Sequence, residues 1–445
     1  MSQLVSSSFS RSAAPRAIVV GGGIAGLAAA WELARGGVAV TLLEGAQELG
    51  GRAATREEEG FSFNLGPHAL YRKGHFKALL DAAGVSYHGG VAPTRGASGI
   101  YGGALVGMPS SPLAIVTSRF FGLRDKAQLL RFFARLRQFD LSALAGQSLA
   151  ELLEREVASP KARAFAEGFF RVSTYANAPA RLCAAAAVRQ ARLGLGGGVL
   201  YVAGGWGRLV QGLETALQRA GVHFEKGAKV AEVLTRDGAA SGVALADGRS
   251  FAAELVVLAV RAQTACRLLP GEAGARLEQA LQPAIPAAAA CLDLALEKLP
   301  RPELLFALGF DQPTYFSVHS AATRVAPPGR VLLHAARYLA PGEERKRAEA
   351  QADLEAMLDL LQPGWGQYEL HRQLLPRMVV QDSLPLAGVK RPGVDFAALP
   401  GLRLAGDWVD SEALLADAAA ETGARAAAGL LAEAGFGQDA RRRTA

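Results

Sequence analysis

The chain has 445 residues, half of them apolar and a fifth charged, which is globular usage with a sizeable core, too long for one ordinary core and suited to two interleaved domains. A formal charge of +7 would suit nucleic acid, but the basic residues are dispersed and no motif with interleaved aromatics accompanies them, so a nucleic-acid partner is excluded and an acidic membrane surface is the better match. The three cysteines, Cys183, Cys266 and Cys291, stand singly, which excludes a thiolate metal site and a disulfide framework and predicts buried free thiols.

Residues 1–15 are Ser-rich and lack the apolar core of a signal peptide, so they read as a loose tail, as do 441–445. No apolar run approaches the roughly 18 residues of a spanning helix, and the expectation is a cytoplasmic protein. A β-branched run then ends in Gly21-Gly22-Gly23-Ile24-Ala25-Gly26, after which Leu27, Ala30 and Leu33 fall at helical spacing. That is strand, tight turn and helix. Gly21 permits the turn, Gly23 lets the backbone approach a pyrophosphate, and Gly26 lets helix and strand pack closely. The helix start at Ile24 and Ala25 offers the phosphates free N–H groups and the positive end of the dipole. Gly36-Gly37 closes the helix, 38–43 forms a second strand, and Glu44 stands at its end. A carboxylate there accepts from ribose hydroxyls and repels a 2′-phosphate. The unit binds a dinucleotide, and by itself does not choose FAD over NAD.

Farther along, 105–195 is mostly helical in pattern. Within it, 119–137 carries Leu129, Phe132, Phe133 and Leu136 at helical spacing, with six basic residues against one acid. It reads either as a domain helix with its aromatic face inward or as a peripheral membrane contact. A turn at Gly204-Gly205-Trp206-Gly207 precedes a helix and strands around Val230, with Asp237-Gly238 and Asp247-Gly248 as hairpin turns. The stretch 291–374 mixes strand-like runs such as 330–335 with a helix over 345–361. Residues 194–199 fail the last position of a second glycine fingerprint and no CxxC pair occurs, so neither a separate NADPH domain nor a redox disulfide is expected.

Gly50-Gly51-Arg52 follows Glu44 in the spacing E-x(5)-GGR. Here the chain resembles the superfamily of FAD-dependent amine oxidases, protoporphyrinogen oxidases and phytoene desaturases, and further blocks extend the likeness over most of the cofactor domain. The resemblance implies that Gly66, Pro67 and His68, in the run 64–70, pass beside the isoalloxazine ring, with Asn64 where an acidic residue is usual. It implies that Val230 meets the adenine through its backbone. Gly406 and Asp407 would contact the ribityl and pyrophosphate region, and Ala418, at a helix start, the pyrimidine edge, where a helix N-terminus stabilises negative charge on the reduced flavin. Covalent attachment needs a cysteine near the last block, and none is there, so the FAD is expected to be non-covalent. Lys298 is the one lysine near where amine oxidases of the superfamily hold a water at flavin N5, yet it precedes Pro300 by two residues and reads as a solvated strand end.

The expected fold class is α/β: a Rossmann-like FAD-binding domain, discontinuous over 16–75, 200–280 and 380–440, with an inserted mixed α+β substrate domain over 76–199 and 281–379. His68 is the titratable residue expected nearest the flavin, as proton acceptor, substrate orienter or packed histidine. Tyr71, Arg72 and Tyr315 are expected around a small apolar substrate; no metal is expected. The function implied is an FAD-dependent dehydrogenase or desaturase that removes hydride from an apolar or polycyclic substrate and passes electrons to oxygen or a quinone. Amine oxidation, or a catalytically inactive flavin-binding scaffold, stands as the alternative.

Overall fold

The structure is a computed structural model that describes residues 15–93, 96–397 and 399–435; apart from Pro15, the two expected tails lie outside the described residues. Its cofactor half is built on a five-stranded parallel sheet in the order His223–Lys226, Ala39–Glu44, Arg16–Val20, Leu255–Leu258, Leu402–Leu404. The strands thus come from three stretches far apart in the chain. The central strands are short β-branched and leucine runs buried on both faces, as a covered parallel sheet requires. One face packs Ala17, Val19 and Leu42 against the helices Ile24–Arg35 and Leu415–Glu433. The other packs Ile18, Val20 and Leu258 against a three-stranded antiparallel sheet. Its first turn is the expected Asp237-Gly238 pair, both at positive φ (52° and 77°), the signature of a tight two-residue hairpin.

The neighbours of Arg16–Val20 diverge to either side, so the order reverses at its C-terminal end, where the glycine turn sits. That is the topological switch point at which ligands bind in open α/β sheets. Helix Leu415–Glu433 crosses the glycine-loop helix closely: a Cβ on Gly423 would lie 2.2 Å from the Ala25 carbonyl oxygen, so no larger residue fits.

The second half is a seven-stranded sheet in the order Glu369–Gln381, Ala287–Leu296, Val331–Leu339, Thr314–Val318, Phe306–Gly309, Ala97–Tyr101, Ala104–Gly107. All its pairs are antiparallel except Phe306–Gly309 with Ala97–Tyr101. One face, with Leu292, Leu294 and Leu333, packs on helix Arg347–Leu361. The opposite face, with Cys291 and Asp293, turns toward the loop after Asn64. Helices from Pro112 to Gly197 cover the far end. Cys183 and Cys291 are buried as expected, whereas Cys266, on the short surface helix Ala262–Leu268, is only half-buried.

The basic segment 119–137 is resolved by packing. Helix Leu123–Leu136 buries Leu129, Phe132 and Leu136, and Phe132 meets Phe170 at 6.1 Å between ring centroids. The aromatic face is therefore spent inside the domain. No helix among the described residues is long and apolar enough to cross a membrane. Phe132→Ala is expected to lower stability by about 3–5 kcal/mol through the cavity it opens; a denaturant midpoint equal to that of the parent would contradict this packing.

Candidate functional site

A cavity of about 580 Å³ opens at the switch point and runs along the carboxyl ends of the parallel strands, within the range of ligand and cofactor sites. Its first wall is the glycine loop. Gly21 has φ of +106°, and a Cβ there would lie 2.4 Å from the Ala259 carbonyl; a Cβ on Gly26 would lie 1.8 Å from the Gly21 carbonyl. Strand, turn and helix can meet this closely only without side chains. Gly23 is the reverse case, with nothing within 4 Å of its would-be Cβ. As the N-cap of helix Ile24–Arg35 it carries no side-chain cap, so Gly23, Ile24 and Ala25 present backbone to the cavity, where phosphate oxygens are the natural partners.

Glu44 stands beside them, held by two backbone donors: the Gly22 N–H reaches its Oε2 at 2.7 Å and the Ala46 N–H its Oε1 at 2.8 Å. Each carboxylate oxygen keeps a further lone pair for ribose hydroxyls. Gly22 itself is outside the cavity wall and acts by fixing Glu44. Val230 lines the same end, as do Lys229 and Thr264, which no local sequence signal singled out. The second glycine pair is tied in by the Gly50 N–H, which donates to the Gly22 carbonyl at 2.8 Å. That brings Gly51 and Arg52 to the wall.

Across the cavity stands Asp407, 2 % exposed. Its Oδ2 takes Arg52 Nη1 at 2.7 Å, and its Oδ1 is buried with no partner among the described residues. A buried carboxylate oxygen wants a donor, and a ribityl hydroxyl supplies one. Gly406, at φ +148°, completes the turn. On the next helix Ala416, Asp417 and Ala419 line the cavity. Ala418, the expected contact, is fully buried on the helix's inner side, one residue out of phase with the wall.

His68 lines the cavity as expected, but both ring nitrogens are engaged with backbone: Nδ1 lies 2.9 Å from the Gly66 carbonyl and Nε2 3.0 Å from that of Arg52. Trp206 meets the ring edge-on at 4.7 Å. Burial pushes the imidazole below its ordinary pKa despite those two carbonyls. The geometry is that of an anchor joining the 66–68 loop to Arg52, with neither nitrogen left for substrate. Pro67 lines the wall, while Gly66 lies behind it, its would-be Cβ 3.0 Å from Cys291 Sγ. Asn64 faces away too: its Oδ1 accepts from the Trp206 N–H at 2.9 Å and the Thr55 hydroxyl at 2.7 Å. It holds the 204–207 turn, which accounts for a neutral amide at this position.

Of the expected substrate residues only Tyr71 lines the cavity. Its hydroxyl donates to the Ser173 carbonyl at 2.8 Å, and burial pushes its pKa up to about 12. Arg72 is exposed, in the turn that follows strand Leu70–Tyr71. Tyr315 is buried behind the wall, its hydroxyl donating to Ser317 Oγ at 2.8 Å. Tyr175 takes its place: it lines the cavity, sits at φ 55° and donates its hydroxyl to the Pro67 carbonyl at 3.3 Å. Lys298 is exposed over the Tyr368 ring, 4.8 Å from its centroid, as a solvated strand end.

A family model described as flavin-containing amine oxidoreductase matches residues 24–431. The chain is 29 % identical over 287 residues to hydroxyneurosporene desaturase from Cereibacter sphaeroides, covering 56 % of each chain. It is 27 % identical over 292 residues to phytoene desaturase (lycopene-forming) from a Paracoccus species, covering 55 % of this chain and 54 % of the other. It therefore spans about half the length of these curated relatives. Among solved structures, an oxidoreductase from Methanosarcina mazei superposes with a TM-score of 0.75 at 18 % identity, over 92 % of this chain and 98 % of that one, a likeness of fold.

Asp417 gives the site a testable pH signature. Its Oδ1 accepts from the Phe76 N–H at 2.8 Å, yet burial dominates that bond and the nearby His75 and lifts the carboxyl to about 6. An acid with a raised native pKa holds a proton that the unfolded chain has lost, so stability falls as pH rises from about 4 to about 6. Asp417→Asn keeps the acceptor and cannot ionise. In the flavin-free protein it should match the parent below about pH 4 and exceed it by up to about 3 kcal/mol above about pH 6, as read by denaturation at both ends of that window; a gap independent of pH would refute the assignment.

Proposed function

The chain belongs to the family of flavin-containing amine oxidoreductases, and from that premise we propose that it is an FAD-dependent desaturase or dehydrogenase acting on a long apolar substrate. The observation that carries the reading is the single cavity joining a bare glycine loop, the pinned Glu44 and the half-satisfied Asp407. These residues fit FAD end to end: Gly23 to Ala25 would hold the pyrophosphate, Glu44 the ribose and Asp407 the ribityl chain, with the start of helix Leu415–Glu433 toward the ring. Bound FAD supplies a hydride acceptor. None of the three cysteines lines the cavity, which supports non-covalent binding.

The residues beside the ring position rather than react. Tyr71 and Tyr175 hold their hydroxyls on backbone carbonyls and line the cavity, and Met378 and Leu415 add apolar wall. Such a wall excludes water and holds a C–H bond against the hydride acceptor, which is most of what hydride transfer asks of a protein. The relatives named as desaturases of hydroxyneurosporene and phytoene support a polyene over a small amine. We assign oxygen or a quinone as final acceptor. The scattered unpaired cysteines favour a reducing compartment such as the cytoplasm.

Anaerobic mixing of the holoprotein with candidate substrates tests this directly. A polyene should bleach the flavin absorbance; bleaching by an amine alone would reassign the substrate class, and bleaching by neither, with dithionite still effective, would favour a scaffold.

The same reading places the substrate in a bilayer, and an exposed patch fits contact with one. Leu113 (71 % exposed), Val116 (51 %) and Leu123 (87 %) lie on helix Pro112–Thr117 and the start of helix Leu123–Leu136, with Arg119 and Arg124 exposed beside them. We propose that this patch, and not the inward aromatic face of 119–137, docks on anionic lipid. In co-sedimentation with vesicles containing phosphatidylserine, Leu113→Glu with Leu123→Glu should cut the bound fraction severalfold; a parent protein that stays in the supernatant would end the proposal.

A further inference from the structure

Two of the chain's 7 histidines, His334 and His319, lie ring against ring beside one fully buried carboxylate on the sheet face behind the 64–68 loop. Register puts them there: Asp293 lies opposite His334 on one neighbouring strand and opposite Gln373 on the other, and His334 lies opposite Ser317. Asp293 Oδ1 is 2.6 Å from His334 Nδ1, with the two side chains 0 % and 1 % exposed. Gln373 Nε2 bridges Asp293 Oδ2 at 2.9 Å and the Asn64 carbonyl at 2.6 Å. His319 follows, its ring 4.2 Å from that of His334 and stacked on Tyr201 at 3.7 Å.

Two features show that this is more than a packed polar row. An unpaired buried carboxylate costs several kcal/mol, and the histidine contact found for Asp293 among the described residues is with His334 alone. Yet Nε2 of His334 and Nε2 of His319 are both buried without a partner. His334 already spends its Nδ1 on Asp293, so these two Nε2 atoms are the positions of the cluster still open to a proton or to one water. His68 in the cavity wall and His319 are pushed toward the neutral state by burial, and each feels the charge of its histidine neighbours. Tyr201, Tyr315 and Cys291, the other titratable groups facing the cluster, are held neutral by burial. The cluster thus sets two orphaned imidazole nitrogens beside one buried carboxylate, and Gln373 ties it to the backbone of the loop that carries His68.

We propose that the Asp293–His334–His319 cluster, with His68, takes up one proton from solvent when the flavin is reduced. Two electrons and one proton convert FAD to its anionic reduced form, and a second proton then binds an imidazole nitrogen and compensates the new negative charge. The inference rests on the cavity holding FAD and is independent of the substrate.

The test is a redox titration of the holoprotein with dithionite between pH 7 and 9, above the range of Asp417, with the reduced-flavin spectrum reporting the flavin's own protonation. A two-electron couple shifts about 30 mV per pH unit for each proton bound. The parent should bind two protons per two electrons with the spectrum of anionic reduced flavin, and His334→Gln and His319→Gln should bind one. If His334→Gln loses flavin, His319→Gln, which keeps the Asp293 pair, decides. One proton in the parent, or two in His319→Gln, would overturn the proposal. A purified chain without flavin would instead refute the cofactor reading, and failure of every organic substrate would leave this measurement intact.

Discussion

The bond between Arg52 and Asp407 closes the cofactor half across the cavity and carries its link to the second half. Arg52 comes from the second glycine pair and Asp407 from the last parallel strand's turn; the same guanidinium nitrogen also donates to the Val380 carbonyl at 3.0 Å. The Asp382 N–H points at the same carboxylate oxygen from 3.3 Å. One charged pair thereby ties both ends of the cofactor half to the edge strand of the other sheet. Removing Arg52 leaves the buried Asp407 carboxylate without its counter-charge, the costly way to break such a pair. It also spends one oxygen of Asp407 and leaves the other for the ligand, so the contact that assembles the fold orients the group that reads the cofactor.

What was legible in the sequence was whatever depends on spacing along the chain. The glycine loop, Glu44, the E-x(5)-GGR pair and the aspartate–glycine hairpins are local, because backbone geometry dictates residue type at fixed offsets. The orientation of single residues is not legible in that way. Ala418 and Arg72 each stand beside residues that line the cavity, Ala418 buried within its helix and Arg72 in the exposed turn after its strand. The substrate residues were hardest: Tyr175, with no motif around it, reaches the wall because its helix ends there in a left-handed turn, and Tyr315 is shielded behind it. Asp293, His334 and Gln373 carried no signal at all. They become neighbours only through the register of three strands, which no local pattern encodes.

Around the ring end of the cavity, burial governs the electrostatics. His68 is driven toward neutral, Tyr71 and Tyr175 are held protonated, and Asp417 is raised toward protonation. A wall of groups kept uncharged presents little competing field to an apolar ligand. It also means that charge arriving there, such as that of a reduced flavin, has few fixed partners and must be met by helix dipole or by protons. The end beside the glycine loop is the opposite, with Glu44, Lys229 and Arg267 at the wall. The gradient along one cavity matches a cofactor that is polar at one end and flat and redox-active at the other.

The contact of Gly423 with Ala25 makes the cavity a product of long-range packing. The glycine loop and the helix that closes over it come from stretches far apart in the chain, so neither stretch forms the site by itself. The cavity exists only where the two helices have met, and local opening of helix Leu415–Glu433 would remove one of its walls while leaving the glycine turn intact.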